Sequence, residues 1–411
     1  MTAVDAALTA AFRTEWARLV ATLIGGLGDW DLAEECAQEA FALAWRTWPR
    51  DGVPERPGAW LLTAARRRAV DRLRRERVGA AKLRALALID TPDSGEPVSG
   101  TDIPDDRLRL IFTCCHPALA FEAQVTLALR TLTGLTTAEI ARAFGVPEPT
   151  MAKRLVRAKQ KIRAAGIPYR VPPAHLLPER TRAVLGVIYL LFNEGYLAGA
   201  GPDLQRPDLA AEAQRLAALV VELMPDDPEA GGLNALVLLQ QSRAAARTGA
   251  GGTLVPLEEQ ERGRWDRQLI GAGLAELRRT ARRDRLGPYQ LQAMIVACHV
   301  TAAGPEDTDW ARIAELYDAL MLRTPSPTVA LNRAIAVGMR SGPDAGLELL
   351  DTVAAAPGSD LARLVAAARA DLLRRSGRDD AAAREYRTAL DLTVNDAERA
   401  YLRRRLGEVG G

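Results

Sequence analysis

The sequence predicts an all-α protein of several domains, and three observations predict it. Leu, Ala and Arg dominate a composition that is 48% hydrophobic, 26% charged and 5% aromatic, which favours helices over sheets. Runs of alternating Val, Ile or Thr are almost missing. Apolar residues recur instead at helical spacing between turns rich in Pro and Gly. At 411 residues the chain exceeds one ordinary core, so roughly two to four domains are expected.

The opening stretch MTAVDAALTAAFRTEW lacks the basic start, long apolar core and cleavage site of an export signal. The longest apolar run, Ala183 to Phe192, falls well short of the ~18 residues of a membrane span, so no membrane partner is expected. Cys36, Cys114, Cys115 and Cys298 form no spaced framework, which suits a reducing cytoplasm. The net charge of +2 would argue against a nucleic-acid binder, but charge acts by patch and this chain is segregated.

The first domain, expected over residues 1–89, carries helical periodicity from about Asp5 to Arg84. Asp29, Asp31, Glu34, Glu35 and Glu39 follow one another with no base between them, then Phe41 and Trp45 come at helical spacing. Further on, Arg66, Arg67, Arg68, Arg72, Arg74, Arg75 and Arg77 crowd one helix anchored by Trp60, Leu61, Ala65, Ala69 and Leu73. The acids are expected to meet one partner and the bases another. Aromatic residues beside a basic helix can stack on unpaired bases.

Residues 90–106, DTPDSGEPVSGTDIPDD, hold no apolar repeat and form an acidic flexible linker. Helices resume over 107–166. There Thr136 with Glu139 makes a capping box, so a helix starts at Thr137 and turns Ile140, Ala141 and Phe144 inward. Gly145 supplies a sharp turn and Pro149 suits the first turn of the next helix. In that helix Met151, Leu155, Ala158 and Ile162 form one stripe, and Thr150, Lys153, Arg154, Arg157 and Lys161 the opposite face. This is the helix-turn-helix arrangement, whose second helix enters the DNA major groove. Gly134 to Ala165 holds seven Lys or Arg and two acids, a bias that favours DNA over a merely solvated face. Arg154 and Glu148, near the helix start, are the candidates for base edges, the other cations for phosphate.

The Pro-rich GIPYRVPP ends this block. A helical extension is expected over 176–284 and helical repeats over 285–411. Gly304-Pro305-Glu306, Gly342-Pro343-Asp344 and Gly377-Arg378-Asp379 recur at spacings of 38 and 35, each followed by an amphipathic helix. That pattern resembles tetratricopeptide-like arrays; an Ala-rich bundle is the alternative. Cys114, Cys115 and His116 stand too close together for one metal ion, and they read, like Cys298 with His299, as packed helix ends. Asn193 and Glu194 in FNEGY read as structural residues of a polar insertion. Three histidines and no Gly-rich phosphate loop leave no catalytic constellation, so no enzyme, cofactor or metal is expected.

The residues resemble the extracytoplasmic-function (ECF) RNA polymerase sigma factors. The region 2 motif is matched at Asp31, Glu34, Glu35, Gln38, Glu39, Phe41 and Trp45, then over Ala59 to Arg75. The region 4 motif is matched at Gly134, Glu139, Ile140, Ala141, Gly145, Val146, Thr150, Met151, Arg154, Leu155, Arg157 and Ala158. Arg67 stands where the family often has Asn, and Ala152-Lys153 where Lys-Ser is usual. The resemblance covers about residues 9 to 165; the remainder looks like the subgroup with a long tetratricopeptide-like extension.

The resemblance implies two protein partners, the β′ clamp helices and the β flap of core RNA polymerase, besides promoter DNA. It implies that Asp31, Glu34, Glu35, Gln38, Glu39 and Phe41 bind core polymerase. Trp60, Arg66, Arg67, Asp71, Arg72, Arg74 and Arg75 would grip the −10 element, and Glu148, Thr150, Lys153, Arg154, Arg157 and Lys161 the −35 element. The linker is long enough: its reach is roughly 55 to 60 Å, against about 50 Å between the elements at ~34 Å per duplex turn. The C-terminal helices are expected to regulate activity through an intramolecular or protein partner. The competing reading, a helix-turn-helix activator or repressor with a helical sensor domain, leaves the acid, aromatic and basic order of residues 29 to 77 without a role.

Overall fold

A computed structural model describes residues 3–75, 106–144, 146–196, 205–249, 252–281, 286–393 and 395–410. Among them every extended element is a helix, and the one β contact is an isolated antiparallel bridge between Thr248 and Leu254. The expected all-α class is the class observed. The helical continuation to Arg84, the linker residues 90–105, the side chain of Arg75 and the turn residue Gly145 lie outside the described residues. The chain divides into two compact units, Met1–Val187 and Ile188–Gly411, so the boundary falls beyond the Pro-rich break at 166–173.

The first unit opens with α1 (Ala3–Leu27), which buries Trp16, Val20, Leu23 and Leu27. Next comes α2 (Trp30–Asp51), capped by Asp29, whose carboxylate accepts hydrogen bonds from the Asp31 and Leu32 amides at 3.1 and 3.2 Å. One of the five acids is thus a helix cap. The Arg-rich helix α3 (Pro57–Arg75) buries the expected Leu61, Ala65, Ala69 and Leu73 against α1 and α2.

After α4 (Asp106–Cys114), α5 (Phe121–Ala128) runs on into a π turn over Leu129–Thr133. The helix-turn-helix is α6 (Thr137–Ala143) and α7 (Glu148–Ala164). The capping box forms as expected: the Thr136 amide donates to Glu139 Oε2 at 2.7 Å, and the Glu139 amide to Thr136 Oγ1 at 3.2 Å. Helix α1 packs on α4 and the π turn, so both halves of the unit share one core. Gly134 sits at that junction with φ +77°, where a Cβ would lie 2.6 Å from the Phe12 ring. A side chain there would meet both backbone strain and a clash. Tyr169, in the Pro-rich stretch, donates to Ala21 O at 2.8 Å and so ties that stretch to α1. Helix α8 (Leu177–Tyr196) follows, and the FNEGY residues lie inside it, with Phe192 buried, where the sequence reads a polar insertion after a helix.

The second unit continues with α9 (Pro207–Leu223), α10 (Pro228–Gln241), α11 (Arg267–Ala281), α12 (Pro288–Thr301), α13 (Trp310–Arg323), α14 (Pro327–Ser341), α15 (Pro343–Leu350), α16 (Asp360–Arg375), α17 (Asp379–Leu392) and α18 (Asp396–Val409). Each helix from α9 packs on a chain neighbour, and the three repeated turns separate α12 from α13, α14 from α15, and α16 from α17. Gly342 and Gly377 adopt positive φ as helix-ending residues do. Tyr386, Ala382 and Ala389 supply the apolar face of α17, all buried.

Candidate nucleic-acid interface

The stripe of α7 forms as the periodicity requires: Met151, Leu155, Ala158 and Ile162 are all buried. Burying the three larger side chains stabilises the pair by about 1.5–3 kcal/mol each, which fixes what the other side presents. Glu148, Thr150, Lys153, Arg157 and Lys161 are exposed, and Arg154 half-buried. The six candidate −35 residues therefore share one helix and remain reachable.

On α3, Arg67, Asp71 and Arg74 are exposed, and Arg66 and Arg72 half-buried. Trp60 is half-buried, its ring packed edge-on to the buried Trp48 at 5.7 Å. Trp60, Arg67 and Asp71 line one cavity of about 540 Å³ with Leu43, Ala59 and Thr63. An aromatic wall, a guanidinium and a carboxylate around a space of this size can receive a flat heterocycle that both stacks and hydrogen-bonds.

The acids of α2 divide. Gln38 is exposed. Glu35 pairs with Arg72 at 3.1 Å and Glu39 with Arg68 at 3.4 Å. Glu34 is 5% exposed, held by Arg130 at 2.9 Å and Lys159 at 3.0 Å. Asp31 meets the same Lys159 at 2.8 Å and Arg163 at 3.3 Å. Burial pushes the Asp31 carboxyl up, but hydrogen bonds and charge from Lys159 and Arg163 outweigh it and hold it below the usual carboxylate range. Phe41 is half-buried, 5.0 Å from Phe12 and 6.1 Å from Trp16, while Trp45 beside it is 61% exposed.

The expectation that acids and bases meet different partners concerns bound partners; the free chain adds contacts that it did not include. Within the unit they face each other: two carboxylates reach α3, and two reach the back of the helix-turn-helix. Sequence reasoning missed Lys159, Arg163 and Arg130. Lys159 did carry a signal, since it stands four residues after Leu155 and next to Ala158, at the edge of the buried stripe. Cys114 and Cys115 are buried at the end of α4; burial pushes the Cys114 thiol up to about 12, with the Thr131 hydroxyl 3.2 Å away.

A helix-turn-helix and an Arg-rich helix beside an aromatic cavity lie in one helical unit, an arrangement that suits a DNA-binding protein. The Sigma-70 region 2 family matches residues 12–78 and the Sigma-70 region 4 family residues 109–162. A family of unknown function, DUF6596, matches residues 180–281. The ECF RNA polymerase sigma factor SigK of Mycobacterium ulcerans (strain Agy99) is 30% identical over 138 residues, 33% of this chain and 73% of that protein. SigK of Mycobacterium tuberculosis (strain ATCC 25618 / H37Rv) matches to the same extent. An uncharacterized protein of Rhizobium meliloti (strain 1021) is 44% identical over 382 residues, 92% of this chain and 89% of that one. No solved structure matches. The chain belongs to the ECF RNA polymerase sigma factors.

Proposed function

We propose that this sigma factor binds core RNA polymerase through α2, holds the −10 element with α3 and reads the −35 element with α7. The observation that carries the reading is the exposed polar face of α7, opposite a buried stripe, in the same unit as the Trp60 cavity. During promoter opening an unstacked base would enter that cavity, with Trp60 as its stacking surface and Arg67 and Asp71 at its edges. Arg66, Arg72, Arg74 and Arg75 would neutralise backbone phosphates. On α7, Arg154 and Glu148 would touch base edges, and Thr150, Lys153, Arg157 and Lys161 phosphates.

The docking face is only partly available in the free chain. Gln38 and the edges of Glu35 and Glu39 are open, whereas Glu34 lies beneath Arg130 and Lys159. In this reading, polymerase engages the open edge first. Region 4 then leaves Asp31 and Glu34, so that the two DNA-reading helices can separate along the promoter. The C-terminal helices tune this step, the linker spans the gap, and the polymerase flap receives region 4. Transcription by core polymerase with the full chain on promoter DNA tests the proposal; transcripts no different from those of core alone would refute it. An activator would instead require a sigma factor already present.

A further inference from the structure

Between α10 and α11 the chain crosses the second unit as a strap, with 3-10 turns at Ala244–Ala246, Leu257–Glu259 and Arg262–Arg264 among the described residues. Its ends are anchored. The Val255 amide donates to Arg247 O at 2.9 Å, the Asp266 amide to Ser242 O at 2.8 Å, Arg262 to His299 O and Ala302 O at 2.9 and 2.7 Å, and Trp265 is buried. The middle is held differently. No residue of Leu257–Glu259 is buried, and its two carboxylates carry the attachment. Glu258 meets Arg405 at 3.1 Å and Arg375 at 2.5 Å; Glu259 meets Arg405 and Arg404, both at 2.8 Å.

Beneath the turn lies a cavity of about 470 Å³, lined by Leu257, Glu258 and Arg262 on the strap side and by His299, Trp310, Ile335, Met339 and Tyr401 among the helices. Five helices, α12, α13, α14, α16 and α18, contribute to it. Leu257 leaves it unfilled. The Gln260 side chain next to the turn is buried, its amide nitrogen donating to Val255 O at 3.1 Å. The side chain of Arg405 is 8% exposed; Glu408 of its own helix meets it at 2.8 Å and Asp371 meets Arg375 at 2.7 Å, so the strap glutamates are further carboxylates on these arginines, a place that carboxylates of another chain can take.

We propose that this inner face is a binding site for an acidic peptide, a large apolar residue followed by two carboxylates, and that Leu257–Glu259 is its resident stand-in. The arginine trio would take the incoming carboxylates and the cavity the apolar side chain. The strap holds its place because its effective concentration is high, although the more exposed pairs, such as Arg404 with Glu259, contribute little individually. A ligand that fills the cavity better displaces the turn while Val255 and Trp265 stay anchored.

The test is fluorescence anisotropy with the full chain and a fluorescein-labelled peptide copying residues 253–262, beside a control peptide in which the counterparts of Glu258 and Glu259, but not of Glu261, are glutamine. The Glu258→Gln/Glu259→Gln chain should bind the acidic peptide at least about tenfold more tightly than the unmodified chain, and the control peptide not at all. Adding Arg405→Gln should abolish that binding. A folded double variant that binds neither peptide, or both equally, overturns the proposal and leaves the strap a structural brace. Should the double variant not fold, hydrogen exchange on the unmodified chain decides: millimolar acidic peptide should accelerate exchange at Glu259 and Gln260, and unchanged rates overturn it.

Discussion

Lys159 is 7% exposed yet touches two carboxylates of a helix more than a hundred positions earlier. Removing one partner of a buried ion pair costs more than the pair itself contributes, because the other charge is left in a poor medium. Lys159→Met should therefore lower unfolding stability by about 3 kcal/mol, the low end of the range for such changes, since Arg130 stays on Glu34. Combined with Glu34→Leu in a denaturation double-mutant cycle, the loss should be smaller than the sum of the two single losses, Arg130 being left without Glu34 in either Glu34 variant; strict additivity would show that the two do not interact. The pH dependence has a definite sign. Asp31 has a folded pKa below its ordinary value of 3.8, so its contribution is present above that value and lost as pH falls through the folded pKa. The stability gap between unmodified and Lys159→Met chains should be constant from about pH 5 to 8 and narrow below about pH 4. On the DNA face, Arg154→Ala should weaken one base preference by ~1–3 kcal/mol, whereas Lys161→Ala should lower affinity for every sequence and reduce the salt slope by about 1. Binding assays on a promoter series at several salt concentrations separate the two, and uniform loss for Arg154→Ala would reassign it to phosphate.

Among the elements, those set by local rules are legible in the sequence. The capping box placed the start of α6, and the four-residue stripe placed the buried side of α7. The anchors of α3 came from the same periodicity. What could not be read was how these helices meet. The position of Lys159 at the edge of the stripe hints at burial, but its partners Asp31 and Glu34, like the approach of Phe12 to Gly134, leave no trace at short range, because each contact joins segments over a hundred residues apart. For the same reason the acidic face of α2 read as free, although much of it is occupied by α3 and α7. The FNEGY residues were misplaced because Asn and Gly disfavour helix locally, while packing of Phe192 overrides them. Opening of the α2–α7 contact is testable as an element motion. Dyes placed through Arg46→Cys and Gln160→Cys should lose more than half their energy transfer when core polymerase is added, as region 4 moves toward an element about 50 Å away. Binding with unchanged transfer would mean that Glu34 stays covered in the complex.

For the whole molecule, the claim is that one helical chain supplies a polymerase-docking edge and two DNA-reading helices, and keeps part of the docking face covered while free. The edge that remains open, Glu35, Gln38 and Glu39, is where disruption should act without unfolding, since Glu35 and Glu39 pair only at the partly exposed border with α3. Charge reversal at both glutamates should abolish core binding while leaving the melting transition near its original temperature. Transcription by core RNA polymerase with the full chain, on DNA selected from a random promoter library, tests the claim most directly. The account predicts specific transcripts that vanish with Glu35→Lys/Glu39→Lys and whose upstream preference shifts with Arg154→Ala. Transcription indistinguishable from core alone, or specific transcripts unaffected by the double reversal, would contradict it.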